Sequence, residues 1–294
     1  QKRGVAVIEA LAKLALRSKR RIMVRLVKGA YWDSEIKRSQ IAGHPDYPVF
    51  TTKAATDLSY LVCAKALIDA SPALFPQFAT HNAHTLVAVG HMAKAADVRV
   101  EYQRLHGMGE ALYAAAKPDR VRVYAPVGGH EELLPYLVRR LLENGANSSF
   151  VHVLLDESVR PEDVVADPIG LVEAAPNRHP KIPVPQDLYG TIRINPLGRD
   201  ISQRATQIEA KRQVDAILAT QLSSGLIIGG NSRSAERFPI YAPSDPKIVL
   251  GHVTQATPDD IDEAASLARK AQPAWDRLGG SGRAPILRAM GDAL

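Results

Sequence analysis

A run of charged and aromatic residues near the start of the chain has the composition of a ligand-binding strand end. Arg25 and Lys28 lie at the end of a short apolar stretch, and Gly29, Tyr31 and Trp32 follow. Such a stretch is typical of a buried parallel strand, after which glycine lets the backbone turn. Cations beside flat rings at a strand end suit an anionic, aromatic ligand such as a nucleotide-bearing cofactor. The alternative is an arginine paired with a carboxylate inside a barrel, with the rings as packing.

A second group of candidate residues is predicted to lie on one helix. The group consists of Tyr136, Arg139, Arg140 and Glu143. Because its members are adjacent or lie three or four positions apart, they occupy overlapping faces of a helix. Two neighbouring guanidinium groups are able to bind one carboxylate in a planar, bidentate way. Taken alone, the same residues also fit a surface helix with an arginine–glutamate pair.

Other residues that could do chemistry are given structural interpretations. His81 and His84 could face one way, but a closed zinc site needs about four ligands and no cysteine lies nearby in sequence. We therefore predict no metal site. Cys63 occupies an apolar helix position and is predicted to be a core residue. As the single cysteine it excludes an internal disulfide framework and fits a reducing compartment.

Helices and strands alternate regularly along the first part of the chain, and these elements must position the candidate residues. Helices are predicted over 5–16, 34–42, 51–70, 85–96, 110–116 and 131–144, and strands over 22–27, 75–80, 98–105 and 121–125. This order favours an α/β fold with a parallel sheet, either open or closed. Polar or glycine-rich residues follow every strand, which favours a (β/α)8 TIM-like barrel. Four strand–helix units would be only half of such a barrel.

The length of the chain and the change in residue types along it indicate about two domains. The 294 residues are 46% hydrophobic, the net charge is +6, and the basic run 17–21 is interpreted as a solvated helix end. No apolar run reaches membrane-spanning length and no secretory signal is present. The proline-rich stretch 158–196 is predicted to be a linker between domains at 1–157 and 197–294. The second domain is predicted to hold helices over 201–222 and after Thr257, with a strand over 248–253.

Long motifs in the first domain resemble the proline dehydrogenase domain of the proline utilization A family. They are RLVKGAYWDSEIK, FATHNAHT, LHGMGEALY, RVYAPVGGHEELLPYLVRRLLENGANSSFV and VADP, and the match covers about residues 1–168. The resemblance implies a flavin-binding (β/α)8 barrel, with strands five to eight in this chain. The abrupt start at Gln1 and stop at Leu294 add to the expectation of a piece excised from a longer protein.

The end of the chain resembles the N-terminal start of the aldehyde dehydrogenase superfamily. A strand, the sequence ATPDD, a helix, PAW and RAPIL occur in the order typical of that start. The resemblance covers roughly the last 70–95 residues. It implies that the catalytic cysteine, the general-base glutamate and most of the NAD site lie further along a longer chain.

The resemblance also implies roles for individual residues. Arg139 and Arg140 would bind the carboxylate of L-proline, while Tyr124, Tyr136 and Leu105 would pack against its ring. Arg25 would lie near flavin N5 as the catalytic residue, where a cation favours the anionic reduced flavin. The full set implied for FAD is Arg25, Lys28, Trp32, Thr51, Lys53, Thr56, Thr80, His81, Asn82 and Glu143.

The implied activity has two steps. FAD-dependent oxidation of L-proline gives 1-pyrroline-5-carboxylate with a membrane quinone as electron acceptor, and NAD-dependent oxidation of glutamate semialdehyde then gives L-glutamate. The resemblance further implies a homo-oligomer in the cytoplasm, with peripheral attachment to the inner membrane face left open. Nucleic acid would be a partner only through a separate DNA-binding domain.

Two alternatives stay open at this level. A barrel enzyme such as an aldolase could use Lys28 as a Schiff base, and a piece of a barrel could be a non-catalytic interaction fragment. Since half a barrel lacks half of its pocket, we expect this chain alone to catalyse neither step.

Overall fold

The chain forms two compact units. The computed structural model describes residues 1–29, 31–145, 160, 165–176, 178–220 and 222–294, except for the side chains of 139–145. The first unit is Gln1–Asp200 and the second is Ile201–Leu294. The finer division of the chain at residues 157 and 196 stays a prediction.

The first unit is built on a parallel sheet with the strand order β1-β2-β3-β4. The strands are β1 (Ile22–Leu26), β2 (Leu74–Ala79), β3 (Glu101–Leu105) and β4 (Val121–Tyr124). The helices are α1 (Gly4–Ser18), α2 (Trp32–Ile41), α3 (Lys53–Asp69), α4 (Ala83–Ala95), α5 (Glu110–Ala116), α6 (His130–Gly145) and α7 (Pro168–Ala174). Neighbouring strands in sequence are therefore neighbours in the sheet, as the predicted strand–helix repeat requires.

One face of the sheet and the helices enclose the main hydrophobic core. On α3, Tyr60, Cys63, Ala64, Leu67 and Ile68 are buried, and their spacing of three and four residues places them on one helix face. The core also holds residues of α1, α4 and α5 and of the strands β2 and β3: Ile8, Ala15, Leu74, Phe78, Leu86, Val89, Ala93, Tyr102 and Tyr113. Full burial of a side chain as large as Leu67 contributes about 1.5–3 kcal/mol to folding.

The other face of the sheet carries polar residues and is curved. Glu101 is 3% exposed and accepts hydrogen bonds from Gln77, Gln103 and Arg122, which lie on the same face of three adjacent strands. Arg25 on β1 lies 5.9 Å from the ring of Tyr124 on β4. These are the outer strands, which would stand about 14 Å apart in a flat sheet. The contact indicates a sheet that curls toward this face, as in a barrel wall.

Residues 178–198, which we term the strap, pack against the rest of the first unit around residues 40–51. Arg178 pairs with Asp46 at 2.8 Å, and the Tyr47 hydroxyl donates to the Pro183 carbonyl at 2.7 Å. The Asn195 amide donates to the carbonyls of Gln40 and Pro185, both at 3.1 Å. Since Asn195 is 9% exposed, these bonds replace water for a buried polar group.

The second unit contains helices and short strands. They are α8 (Arg204–Leu218), β5 (Leu222–Ser224), β6 (Leu226–Ile228), β7 (Asn231–Arg233), β8 (Arg237–Ala242), β9 (Asp245–Thr254), α9 (Pro258–Arg277) and α10 (Gly279–Ala293). Strands β5, β9 and β8 form a sheet in that order, and β6 pairs with β7 as a hairpin. Gly229 and Gly230 turn this hairpin with φ of +59° and +83°, a conformation that side chains disfavour.

The predicted start of α9 is confirmed in detail. The Thr257 hydroxyl accepts a bond from the Asp260 amide at 3.2 Å, and the Asp260 carboxylate accepts from the Thr257 amide at 2.9 Å. This reciprocal pair is the capping box that the sequence indicates. An ion pair from Arg233 to Glu263 then connects β7 to α9.

Several predicted boundaries are wrong. The helix predicted over 201–222 is α8, which begins at Arg204 and ends at Leu218, because Leu222–Ser224 pair with β9 as strand β5. Strand β8 was not predicted; it contains Pro239, which an edge strand tolerates. The strand predicted from 98 begins at Glu101.

Candidate active site

The carboxyl ends of the four parallel strands carry the candidate residues. Lys28 follows β1, His81 follows β2, and Leu105 and Tyr124 end β3 and β4. Because the strands are parallel, these ends lie along one edge of the sheet. The four strand–helix turns therefore contribute to a single region, which is the arrangement of ligand sites in barrels of this kind.

An aromatic wall with a cation stands at one side of this region. Leu105 and Tyr124 are register partners, and the ring of Tyr124 lies 6.4 Å from that of Tyr136 at an angle of 52°. The Arg25 guanidinium lies 5.9 Å from the Tyr124 ring centre, within reach of a cation–π contact. Tyr124 is 48% exposed, so part of this wall is open to a ligand.

A half-buried lysine occupies the neighbouring strand end. Lys28 Nζ donates to Asp57 Oδ1 at 2.5 Å and to Thr85 Oγ1 at 3.3 Å. The ammonium also lies 5.7 Å from the ring centre of Tyr60. Burial lowers the pKa of Lys28, and the Asp57 carboxylate opposes that shift. The site thus holds a cation that is partly shielded from water.

Asp57 joins two cations. Its second oxygen accepts a hydrogen bond from Lys53 Nζ at 2.7 Å, one helical turn earlier on α3. Burial by itself would raise the pKa of Asp57, but Lys28 and Lys53 outweigh it, and the pKa of this carboxyl is lowered. Asp57 therefore stays ionised at neutral pH.

The residues after β2 form the start of α4. Asn82 Oδ1 caps the helix by accepting from the Thr85 amide at 2.9 Å, and Thr80 Oγ1 accepts from the Asn82 amide at 3.1 Å. His81 Nε2 accepts from the Leu105 amide at 3.1 Å, which ties this turn to the end of β3. The amino end of a capped helix attracts anions, so this turn suits a phosphate or a carbonyl oxygen.

The residues predicted to hold the nucleotide half lie at the start of α2, on the first turn of α3 and in the loop between these helices. Trp32 Nε1 donates to the Phe50 carbonyl at 2.8 Å, and the Thr56 hydroxyl donates to the Thr52 carbonyl at 3.2 Å. Thr51 Oγ1 accepts from the amide of His179 in the strap at 3.0 Å. Thr52, rather than Thr51, caps α3 by accepting from the Ala55 amide.

The proposed carboxylate-binding arginines lie on α6. The backbone of Arg139, Arg140 and Glu143 belongs to this helix, but their side chains lie outside the described part of the structure. The contacts predicted for these three side chains therefore stay predictions.

Sequence reasoning missed Asp57, Tyr60 and Tyr113. The hydroxyl of Tyr60 lies 3.4 Å from the Leu26 carbonyl and 3.2 Å from that of Ala79. The Tyr113 hydroxyl donates to the Thr80 carbonyl at 2.8 Å, and burial raises the pKa of both phenols. The four-residue spacing from Lys53 indicates a partner for Asp57, but no local signal relates these tyrosines to strand ends.

The described residues also bear on metal binding and on membrane crossing, and both properties depend on which side chains lie together. No group of three or more histidines, cysteines, aspartates or glutamates among them is placed to hold a metal ion. In the same part of the chain, every helix is too short or too polar to cross a membrane.

Comparisons with known proteins agree with both resemblances. The family described as "Proline dehydrogenase" matches residues 1–153, and the family described as "Aldehyde dehydrogenase family" matches residues 231–294. The bifunctional protein PutA of Escherichia coli is 44% identical over 311 residues and covers 98% of this chain. Its counterpart from Rhizobium meliloti is 47% identical over 268 residues and covers 86%.

A solved structure also matches this chain. Proline utilization A from Bradyrhizobium japonicum is 49% identical, with a TM-score of 0.66 over 74% of this chain and 23% of its own length. The chain likewise spans 23% of the length of the Escherichia coli relative and 22% of that from Rhizobium meliloti. With a family match over more than half of its residues, the chain belongs to the proline dehydrogenase family.

Proposed function

We propose that the protein containing this chain oxidises L-proline to 1-pyrroline-5-carboxylate with FAD and passes the electrons to a membrane quinone. The observation that carries the proposal is the joint position of Arg25, Tyr124 and Tyr136 at the carboxyl edge of the curved sheet. A cation beside two rings suits a flat, redox-active ring system and a small cyclic substrate. Membership of the proline dehydrogenase family adds to this support.

The described residues fit a bound FAD by the chemistry of their donors. Arg25 and Lys28 would face the isoalloxazine, the turn Thr80 to Asn82 would lie beside it, and Trp32 would lie beside the adenine. The nucleotide half would contact Thr51, Lys53 and Thr56, while Glu143 would bind the ribityl chain. FAD, when bound, would accept the hydride from the ring carbon next to the proline nitrogen.

The chain's own residues would position the substrate rather than attack it. Arg139 and Arg140 would fix the proline carboxylate by paired hydrogen bonds. Tyr124, Tyr136 and Leu105 would pack on the ring, exclude water and hold the amine in line. Arg25 would provide a positive field at the reacting end of the site. Such catalysis depends mainly on orientation, and no covalent nucleophile is required.

The match to aldehyde dehydrogenases supports a second activity in the same protein. This second activity would be the NAD-dependent oxidation of glutamate semialdehyde to L-glutamate. Glutamate semialdehyde is the hydrolysed product of the first step. A homo-oligomer in the cytoplasm, attached to the membrane surface during electron transfer, fits a quinone acceptor. The two steps follow in order, because hydrolysis of the first product yields the aldehyde that the second step consumes.

One preparation tests the first activity. The protein is expressed from its whole reading frame, and flavin absorbance and L-proline-dependent dye reduction are measured. We expect near-stoichiometric FAD that L-proline bleaches under anaerobic conditions, whereas D-proline serves as the matched control. A flavin-free protein without proline oxidation would contradict the proposal. Borohydride trapping of an aldehyde substrate on Lys28 would instead indicate Schiff-base chemistry.

A further inference from the structure

The ion cluster around Asp57 is the part of the candidate site that no predicted role explains. Its carboxylate accepts hydrogen bonds from Lys28 at 2.5 Å and from Lys53 at 2.7 Å. The two cations come from different elements, since Lys28 follows β1 and Lys53 opens α3. The side chains of Asp57 and Lys28 are 18% and 28% exposed, so little solvent screens this pair, whereas Lys53 is 54% exposed.

Lys28 is restrained from several sides. The side chain is 28% exposed, with Asp57, Tyr60 and the neighbouring cation Lys53 supplied by α3 and the Thr85 hydroxyl supplied by α4. A lysine side chain loses rotamer entropy when it is fixed, so its position must be held by several contacts. A short ion pair is the strongest of these contacts, so the carboxylate decides where the ammonium lies.

We propose that Asp57 is a positioning residue that holds the Lys28 ammonium, in its charged form, at the carboxyl edge of the sheet. The inference rests on the proposed function for the identity of the ligand, FAD, but the restraint on Lys28 is a property of this chain. Burial favours the neutral amine, and the carboxylate of Asp57 counteracts that preference. Asp57 would thus act on the cofactor only through Lys28.

The first test measures the protonation of Lys28 directly. In the protein from its whole reading frame, acetylation of Lys28 by acetic anhydride is followed from pH 6 to pH 10 by peptide mass spectrometry. Asp57→Asn removes the counter-charge and keeps the shape. We expect the pKa of Lys28 to fall and its acetylation at pH 8 to rise about tenfold, which corresponds to one pKa unit.

The matched control lies on the same helix. Lys65 and Asp69 form an ion pair with the same four-residue spacing at 2.6 Å, but both side chains are more than half exposed. Asp69→Asn therefore removes an equivalent charge without a buried partner, and Lys28 labelling should stay at the wild-type rate. Asp57→Glu restores the charge and should return labelling toward wild type.

The second readout is the pH profile of cofactor affinity. The ratio of the FAD dissociation constants at pH 9 and pH 6 is measured by flavin fluorescence after removal of the bound cofactor. We expect this ratio to rise about two- to fivefold in Asp57→Asn relative to wild type and Asp69→Asn, because only the charged lysine attracts the anionic ligand and a one-unit fall in pKa removes part of that charge at pH 9. A purely structural defect would weaken binding equally at both pH values.

The outcomes separate the two proposals. A wild-type protein that binds no FAD would overturn the proposed function, while Lys28 labelling would still decide the role of Asp57. Unchanged labelling in Asp57→Asn would overturn the positioning role. If that variant does not fold, Lys28 labelling is measured in Lys53→Met instead. Loss of the repelling cation leaves Asp57 to pair with Lys28 alone, which should raise the pKa of Lys28 and slow its labelling several-fold. Unchanged or faster labelling in Lys53→Met would also contradict the role.

Discussion

Individual charges in the first unit are arranged for two different purposes. At the carboxyl edge, Arg25 and Lys28 are cations beside rings, where a ligand could use their charge. Deeper on the concave face, Glu101 is bound by Gln77, Gln103 and Arg122 with every distance at or below 3.0 Å. A carboxylate satisfied in this way is stabilised as a structural element and has little capacity for catalysis.

The arginines of α6 provide the first residue-level prediction. Replacing Arg139 or Arg140 with Met should raise KM for L-proline about 10- to 100-fold, because a charge-assisted bond to a carboxylate is worth roughly 1.5–3 kcal/mol. Flavin content should stay the same. The control is Arg38→Met on α2, whose side chain is 78% exposed. Loss of flavin with unchanged proline kinetics would contradict the assigned role.

Glu101 gives a prediction about pH. Hydrogen bonding from Arg122 lowers the pKa of Glu101 from 4.5 to about 2. The folded state therefore binds its proton less tightly than the unfolded state does. The resulting stability is fully present above pH 4.5 and is lost as the pH falls through about 2.

The Glu101→Gln variant tests this linkage. It should lower the free energy of unfolding at pH 7 by roughly 1–3 kcal/mol, after allowance for screening at the exposed Arg122. The difference from wild type should shrink below pH 3. Urea unfolding at both pH values measures it, with the exposed Glu9→Gln as control. A constant difference at all pH values would refute the linkage.

At the level of elements, local sequence signals were informative where the chain contacts itself within a few residues. The Thr257 capping box and the burial of the 3.6-period face of α3 both follow from short-range spacing. The ion pair between Lys28 and Asp57 does not, because these residues are 29 positions apart and belong to different elements. The candidate site was therefore recognised by motif resemblance, while its internal contacts required the structure.

The strap provides the element-level prediction. Asn195→Ala should release it from residues 40–51, since two hydrogen bonds of a buried amide are lost at a cost of about 1–3 kcal/mol. Hydrogen exchange should speed up at residues 40–51 and leave α3 protected. Gln207→Ala, an exposed hydrogen-bonding amide on α8, is the control. Exchange rates that stay at the wild-type value would show that the strap does not fix this loop.

For the molecule as a whole, the class of fold followed from the order of its elements. Alternation of strands and helices indicated a parallel sheet, and the observed order β1-β2-β3-β4 is the simplest order for such a chain. The residues Pro180, Pro183 and Pro185 indicated a linker, and in the structure this stretch contacts Gln40 and Tyr47. Proline content reports the absence of regular structure, and it carries no information on whether an irregular segment is packed.

The strap also affects the timing of assembly during synthesis. The partners of Asp46 and Gln40 lie 132 and 155 residues further along the chain. At about 5–20 residues per second, a ribosome needs roughly 7–30 s to supply them. Until then the loop that carries Thr51 lacks its outer contacts, although the sheet and α3 are already complete. The nascent protein therefore has its core before it has the nucleotide end of its candidate site.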